Sequence, residues 1–426
     1  MGAIAIAAAV TQGCVNTKFQ SNAPDHGLVV ADEPLAAAIG REVLMEGGTA
    51  GDAAAAMALA MTVTLPSRVG FGGGGVCVVH DSRTKEVRTI DFRPGPAGGG
   101  GATPAFLRGI YALHAQTGTL RWEQVAVRAE ALARAATPVS RALAEDLRAA
   151  TGGLDGPARA LFAPSGRPLS EGAPLARPDL ATTLSRARRE GITPFYMGTG
   201  AESFAAALGV DAGAVRGARP LWGDTATVPL GGGVALHFAD PQPGDTGARR
   251  AAAFRAGADA PRDQRGARAV QSLGAEGEAP PAAGFAVIDG SEGAAACTFT
   301  LGGLFGTGRL DPATGVVTGR PAGSAGFGAQ ALATSRLGRT LFAAAAGANG
   351  GGSGGGATLL ETAVPVITDQ RRPSEVLAER PAAATAGRVA MVGCTVSMDS
   401  GLKQCQPAAD PRGHGIAFDV ELPRED

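Results

Sequence analysis

The clearest pattern of apolar and polar positions lies in residues 281–310. Two short apolar runs, residues 285–289 and 294–301, are separated by the sequence Gly-Ser-Glu-Gly, which is typical of a turn. In the second run threonines alternate with larger apolar residues, which is the two-residue period of a strand. The pattern therefore predicts a β-hairpin of two adjacent buried strands, followed by a glycine-rich turn at residues 302–308.

The first part of the chain predicts a strand, two helices and a second hairpin. Residues 28–31 are a short apolar strand, and residues 34–46 have proline in the first turn and two glycines after the end, as helices often do. Residues 51–64 are apolar on nearly all sides, so we expect a buried helix there. Two further apolar runs, residues 76–80 and 86–92, are predicted to pair across a polar turn.

The remaining chain predicts more helices and strands, with one exception. Helices are expected within residues 103–132, from Pro178 onward and over residues 358–367, and two strands within residues 225–238. Residues 249–280 are rich in alanine, arginine, glycine and glutamate and have no apolar periodicity. We expect this last stretch to be a flexible linker.

Composition limits the classes of function. The 426 residues are 45% hydrophobic, with 65 glycines and 28 prolines, which indicates a compact chain with many tight turns. The formal net charge is −1 and the aromatic content is 4%. Because a basic face and stacking aromatic side chains are both lacking, nucleic-acid binding is not expected.

The N-terminus has two interpretations. A short apolar run ends at Gly13-Cys14, and its ten or so apolar residues are too few to span a bilayer but suit a signal peptide. The Gly-Cys pair resembles a bacterial lipoprotein cleavage site, which would make Cys14 a lipid anchor to a membrane. The alternative is a frayed N-terminus or a start codon placed too far downstream.

The other cysteines fit an exported protein. Besides Cys14 the chain has four cysteines, and two of them, Cys394 and Cys405, lie close together in a hairpin-like tail. A disulfide between these two is therefore a candidate. The sequence contains neither a C-x-x-C pair nor a histidine cluster with metal-ligand spacing, so we expect no metal and no cofactor.

Three stretches carry a resemblance to a known family. They are ADEPLAAAIGREVLMEGGTAGDAAAAMALAMTVTLPSRVGFGGGG near the start, PLARPDLATTLSRARREGITPFYMGTGAESFAAAL in the middle, and the hairpin with the Phe-Gly-Thr-Gly turn that follows it. Together with the closing stretch, they resemble the gamma-glutamyltransferase family over roughly residues 27–418.

The resemblance implies an α+β fold, a four-layer αββα sandwich of the N-terminal-nucleophile hydrolase type. Residues 1–26 are then a leader and linker, and residues 27–426 form one domain. Residues 27–281 correspond to the family's large subunit and residues 282–426 to its small subunit.

The family's nucleophile is missing from the position that the resemblance assigns to it. In the family a Thr-Thr-His motif opens the strand, and the first threonine becomes the nucleophile after the precursor cleaves itself there. The ungapped register places Ala282, Ala283 and Gly284 at these three positions. Because Ala282 has no hydroxyl or thiol for a base to activate, no catalytic residue is predicted.

A few of the family's binding residues have counterparts in this chain. The resemblance assigns Arg93 to the site that binds the α-carboxylate of a glutamyl group, and Thr300 is a second retained position. Within the glycine-rich residues 350–356, the resemblance assigns Gly355 and Gly356 to the family's oxyanion hole, and a plain flexible loop is the alternative. The Asn-Asn-x-Met-Asp-Asp element that holds the substrate's amino group is absent from the sequence. We therefore expect any retained binding near Arg93 to favour a small carboxylate over a zwitterionic glutamyl group.

Two functional hypotheses follow. The first is an uncleaved, non-catalytic family member with a binding or accessory role in the bacterial envelope, periplasmic or membrane-anchored, with a small carboxylate or γ-glutamyl-like ligand or an envelope protein as partner. The second is an active gamma-glutamyltransferase or glutathione hydrolase whose nucleophile lies elsewhere in the chain.

Overall fold

The computed structural model describes residues 26–240, 246–277, 279–322, 328–348, 354–380, 387–396 and 403–422. The strands are β1 His26–Ala31, β2 Gly74–Asp81, β3 Glu86–Phe92, β4 Thr137–Pro138, β5 Pro174–Leu175, β6 Leu221–Gly223, β7 Thr225–Gly231, β8 Val234–Ala239, β9 Ala282–Ile288, β10 Ala294–Thr300, β11 Leu310–Asp311, β12 Val316–Val317, β13 Gly328–Ser335, β14 Thr340–Ala348, β15 Gly387–Val396, β16 Lys403–Ala409 and β17 Ile416–Glu421. The helices are α1 Pro34–Met45, α2 Ala50–Thr64, α3 Phe106–Thr117, α4 Trp122–Arg134, α5 Arg141–Ala150, α6 Gly156–Phe162, α7 Pro178–Glu190, α8 Thr193–Tyr196, α9 Gly198–Leu208, α10 Ala212–Gly217, α11 Thr246–Ala258, α12 Arg265–Leu273, α13 Gly355–Thr368 and α14 Pro373–Ala378.

The predicted central hairpin is confirmed and lies in the middle of the first sheet. Strands β9 and β10 pair antiparallel, and the sheet has the order β17-β1-β9-β10-β2-β3-β6. Every residue of both hairpin strands is buried, as the two apolar runs predict. The hairpin therefore fixes the position of the strands on either side of it.

A second sheet, with the order β16-β15-β14-β13-β8-β7, stacks on the first. Strand β14 has an alanine run in which alternate residues face opposite sides, as the two-residue period of a strand requires. Ala343 and Ala345 belong to the cluster between the two sheets, whereas Ala344 and Ala346 pack against the helices on the outer face.

Helices cover the outer face of each sheet, which gives the predicted four layers. The helices of the first half of the chain cover the first sheet, and α11 to α14 cover the second. Helix α2 is buried along its whole length, as its apolar sequence predicts. The observed α+β architecture is thus the αββα sandwich that the resemblance implies.

The prediction of a flexible linker at residues 249–280 is wrong. Helices α11 and α12 occupy most of this stretch, and their Phe254, Ala269 and Leu273 are buried against the outer face of the second sheet. The stretch has few large apolar residues, so its periodicity is weak. Alanine nevertheless has the highest helix propensity, and its small side chain lets a helix pack closely.

Two disulfides connect neighbouring strands. Cys394 and Cys405 are bonded across β15 and β16, where they are direct partners. Cys77 and Cys297 are bonded across β2 and β10. The second pair is separated by 220 residues in the chain, so no local spacing indicates it.

A buried carboxylate connects the N-terminus of helix α2 to the turn between α3 and α4. Asp52 accepts hydrogen bonds from the backbone and hydroxyl of Thr49, at 2.9 Å each, and from the backbone of Thr119 and Leu120. His114 Nε2 lies 3.1 Å from the same carboxylate. Burial alone would raise the pKa of Asp52, but these donors outweigh it and hold the pKa at about 2.

We predict that Asp52→Asn destabilises the protein by about 3 kcal/mol, because the amide nitrogen would face several N–H donors. The carboxyl of Asp52 has its lowered pKa only in the folded state, so its contribution is present above pH 4 and is lost as the pH falls through about 2. Roughly 2 kcal/mol of the difference from wild type should therefore disappear between pH 4 and pH 2.

Denaturant unfolding across this pH range measures the effect. The exposed Asp179→Asn, in the first turn of α7, is the matched control and should change stability by less than about 0.5 kcal/mol. A difference between wild type and Asp52→Asn that stays constant from pH 4 to pH 2 would contradict the assignment.

Candidate functional site

Three of the predicted site residues, Ala282, Thr300 and Arg93, lie in a row along one end of the first sheet, where its strands begin or end. Ala282 at the start of β9 pairs with Thr300 at the end of β10, and Thr300 pairs with Gly74 at the start of β2. The next strand ends at Phe92, opposite Gly75, and Arg93 follows it. We call Ala282, Thr300, Gly74 and Arg93 the edge row. Direct partners on neighbouring strands present their side chains to the same face, and the Ala282 side chain belongs to the cluster between the two sheets.

Ala282 is enclosed by protein. Its residue is 1% exposed, and its carbonyl oxygen accepts a hydrogen bond from Arg68 Nη1 at 3.3 Å. A Cβ atom on Gly347, across the gap between the sheets, would come within 2.7 Å of that oxygen. The backbone at position 282 is therefore fixed from both sides by Arg68 and strand β14.

The hydroxyl groups nearest to Ala282 along the sheet already have hydrogen-bond partners. Thr300 Oγ1 donates to the carbonyl of Pro281 at 2.6 Å and accepts from the backbone of Gly302 at 2.9 Å. Thr298 Oγ1 is hydrogen-bonded to the side chain of Gln330. Thr300 thus holds the peptide group that immediately precedes Ala282.

Arg93 lies at the far end of the edge row and lines a cavity of about 630 Å³. It is three strands from Ala282, which corresponds to about 14 Å at the usual spacing of neighbouring strands. Its guanidinium folds back onto Asp91, with Nη2 3.1 Å from the carboxylate. The cavity also includes Arg219, so it has two cationic side chains and one carboxylate.

The structure places Gly355 and Gly356 in the first turn of helix α13. A Cβ atom on Gly355 would meet the carbonyl of Ala346, which precedes Gly347 on β14, so the turn lies at the same end of the sheets as Ala282. The Glu276 carboxylate packs against Gly356 and pairs with Arg250 Nε at 2.9 Å. A carboxylate that is paired with a buried guanidinium therefore already lies where the resemblance predicts donors for an oxyanion.

Two further features concern metals and membranes. Within the described ranges, no group of three or more His, Cys, Asp and Glu side chains is arranged to hold a metal ion. No helix in the part of the chain that the structure covers is both long and apolar enough to cross a bilayer. Cys14 lies outside the described residues, so lipidation there stays a prediction.

A family model and two curated proteins match this chain. The family model described as gamma-glutamyltranspeptidase matches residues 36–100 and 95–218. Glutathione hydrolase 7 of Homo sapiens is 36% identical over 195 residues, which are 40% of this chain and 28% of that protein. The glutathione hydrolase proenzyme of Bacillus subtilis is 31% identical over 252 residues, which are 49% of this chain and 43% of that protein.

The chain is similar to the gamma-glutamyltranspeptidase family over residues 36–218, a little under half of its length. It spans less than half the length of these two relatives.

Solved structures show the same fold. The cephalosporin acylase of Bacillus halodurans superposes with a TM-score of 0.71 at 17% identity, over 92% of this chain and 95% of that one. The gamma-glutamyltranspeptidase of Helicobacter pylori superposes with a TM-score of 0.51 at 22% identity, over 56% and 79% of the two chains. At these identities the likeness concerns the fold alone.

The family resemblance brought Arg93, Thr300 and Ala282 to attention, but it missed the charged groups on the other side of Ala282. Arg68 Nε and Nη2 both bond the Asp146 carboxylate at 2.8 Å, and this pair is 78 residues apart in the chain. Asp32, at the end of β1, accepts from the backbone of Gly284 at 2.8 Å. Because these contacts are long-range, no local sequence pattern predicts them.

We predict that Thr300→Val destabilises the protein by about 1 to 3 kcal/mol, because it removes the hydrogen bonds to Pro281 and Gly302 while keeping the shape of the side chain. Equilibrium unfolding in denaturant measures the loss, with the exposed Thr182→Val on helix α7 as the control. The Pro281 carbonyl oxygen is held beside Thr300 only while the peptide bond between Pro281 and Ala282 is intact. A loss below about 0.5 kcal/mol would therefore contradict the account.

Proposed function

We propose that this chain is a non-catalytic member of the family, that it remains uncleaved, and that it binds a small carboxylate beside Arg93. The observation that carries the proposal is Ala282, which stands where the family resemblance requires the nucleophilic threonine. An alanine methyl group can neither attack the preceding peptide bond nor form an acyl intermediate. The loss removes self-cleavage and turnover together.

The surroundings of Ala282 support this proposal. The Thr300 hydroxyl is committed to the Pro281 carbonyl, and the Glu276 carboxylate occupies the first turn of α13. An oxyanion placed there would have to displace the Glu276 carboxylate, which packs against Gly356 and is held by the buried Arg250. Replacing Ala282 by threonine alone should therefore leave the site without an effective oxyanion hole.

The cavity beside Arg93 supports a binding role. Its volume of about 630 Å³ is in the range of small-molecule sites. Asp91 balances the charge of Arg93, so Arg219 supplies the net positive charge, and the cavity is less positive than two arginines alone would make it. A guanidinium can bind a carboxylate through two parallel hydrogen bonds, so a small dicarboxylate is the ligand that fits this chemistry.

A role in the bacterial envelope is part of the same proposal. It rests on the lipoprotein-like Gly13-Cys14 pair and on two disulfides, which persist in oxidising compartments. An envelope protein is a second class of partner for a binding protein of this kind.

An active glutathione hydrolase or gamma-glutamyltransferase is the alternative. It is favoured by the names of the relatives that match this chain and by the family model, whose match over residues 36–218 includes Arg93. It requires a nucleophile other than Ala282. The non-catalytic protein would remain one chain without turnover, whereas the active enzyme would be cleaved and would turn over its substrate.

We predict that the purified protein runs as one band near 42.2 kDa on a denaturing gel and releases no product from a γ-glutamyl anilide. Ala282→Thr should also give one band and no turnover, because Glu276 remains in place. An active member of the family, assayed alongside, is the positive control. Two fragments that separate near residue 282, or turnover that persists through repurification, would contradict the proposal.

We also predict that glutarate binds the protein and that Arg93→Ala weakens this binding at least tenfold, since a charge-assisted hydrogen bond contributes about 1.5 to 3 kcal/mol. Calorimetric titration with glutarate, glutamate and glutathione measures it. Arg216→Ala, an exposed arginine that pairs with Glu202, is the control and should leave binding unchanged. Tight glutamate binding that does not depend on Arg93 would show that the cavity does not work in this way.

A further inference from the structure

A second, charged cleft lies on the opposite side of Ala282 from Arg93. It forms where β1 ends and just before β17 begins, next to the strand that starts with Ala282. The charged and titratable side chains that line it are Asp32, Arg68, Glu145, Arg388, Arg412 and His414. The volume of this charged cleft is about 50 Å³, and Gly413 and His414 also line a neighbouring cavity of about 480 Å³.

Most of the charges around the cleft are paired within the protein. Arg68 bonds both oxygens of the Asp146 carboxylate, at 2.8 Å each. Arg412 Nε donates to Asp410 at 2.9 Å. On the rim, His414 Nε2 lies 2.8 Å from Glu145.

Asp32 and Arg388 are the exceptions. Asp32 accepts a hydrogen bond from the backbone of Gly284 and is attracted by Arg68 and Arg388, but it forms no ion pair with any residue that the structure describes. Arg388 donates only to the carbonyl of Gly387, at 3.3 Å, and its Nε is buried with no acceptor in the part of the chain that the structure covers. The two side chains do not form an ion pair with each other, although both face the cleft.

Neighbouring charges compensate these two side chains only in part, and burial is the larger effect on both. Burial raises the pKa of the Asp32 carboxyl to about 6, and burial lowers the pKa of the Arg388 guanidinium. Partly buried charges that are only partly compensated cost free energy, and a ligand that supplies the opposite charges would recover some of it.

We propose that the charged cleft binds a small zwitterion of the α-amino acid type, with its carboxylate on Arg388 and its ammonium on Asp32. The small volume between the two side chains holds a headgroup but no bulky substituent. The neighbouring cavity, which is lined in part by Pro34, Leu35 and Val139, accommodates a short apolar side chain. This site is separate from the cavity beside Arg93, since the two share no lining residue.

Calorimetric titration of the wild-type protein at pH 7.5 with four probes tests the proposal. L-alanine carries both charges, acetate and methylammonium carry one each, and trimethylglycine carries both charges but has no N–H to donate. We expect L-alanine to bind with a stoichiometry of one and at least tenfold more tightly than each of the other three. No binding of L-alanine up to 10 mM, or equal affinity for L-alanine and acetate, would overturn the proposal.

Substitutions test which residues bind L-alanine. Asp32→Asn and Arg388→Gln should each weaken L-alanine binding at least tenfold, whereas Arg336→Gln, an exposed arginine in the turn between β13 and β14, should not. Arg93→Ala should leave L-alanine binding unchanged, so failure of this proposal can be told apart from failure of the carboxylate site. L-alanine affinity that persists in both cleft variants, or that is lost in Arg93→Ala, would overturn the assignment. The comparison of probes on the wild type decides the matter if a variant fails to fold.

Discussion

The close contact between the two sheets constrains the rest of the structure. The cluster between them is built largely from alanine and valine, and at two positions a larger residue has no room. A Cβ atom on Gly347 would come within 2.7 Å of the Ala282 carbonyl, and one on Gly284 would come within 3.2 Å of the Ala345 side chain. Small residues let the backbones approach, and dense packing of this kind leaves little freedom for side chains to shift. The edge row, both flanking cavities and the hairpin are held in register by this contact.

Under the proposed function, this constraint lets the scaffold keep its shape without the family's nucleophile. Ala282 contributes to the inter-sheet cluster and to strand pairing with Thr300, and neither role needs a hydroxyl group. The Pro281 carbonyl is held by Thr300 and the Ala282 carbonyl by Arg68, so the chain passes through this edge as a fixed, hydrogen-bonded segment. The fold therefore does not depend on a hydroxyl group at position 282, and a fold by itself does not imply an activity. Charged residues at this edge then lie in two separate places, beside Arg93 and beside Arg388.

Much of the fold could be predicted from local pattern and from the family resemblance. The hairpin followed from alternation within residues 285–301, and the buried helix α2 from its uniformly apolar sequence. Helices α11 and α12 were missed because alanine and arginine give a weak periodic signal, although their Phe254 and Leu273 are buried. The resemblance also indicated the edge row, but it could not indicate Glu276 at the start of α13, or Asp32 and Arg388 in the charged cleft. Such contacts join residues far apart in the chain, so only the folded structure brings them together.

The central claim is that no side chain takes the place of the missing nucleophile. Intact-protein mass spectrometry tests it most directly, on wild-type protein incubated with a γ-glutamyl anilide and quenched with acid to trap any acyl intermediate. We predict a single species, uncleaved at position 282, whose mass is the same with and without the substrate, because Ala282 cannot form an ester. A species heavier by one glutamyl group, with the modification mapped to any residue of the chain, would contradict it.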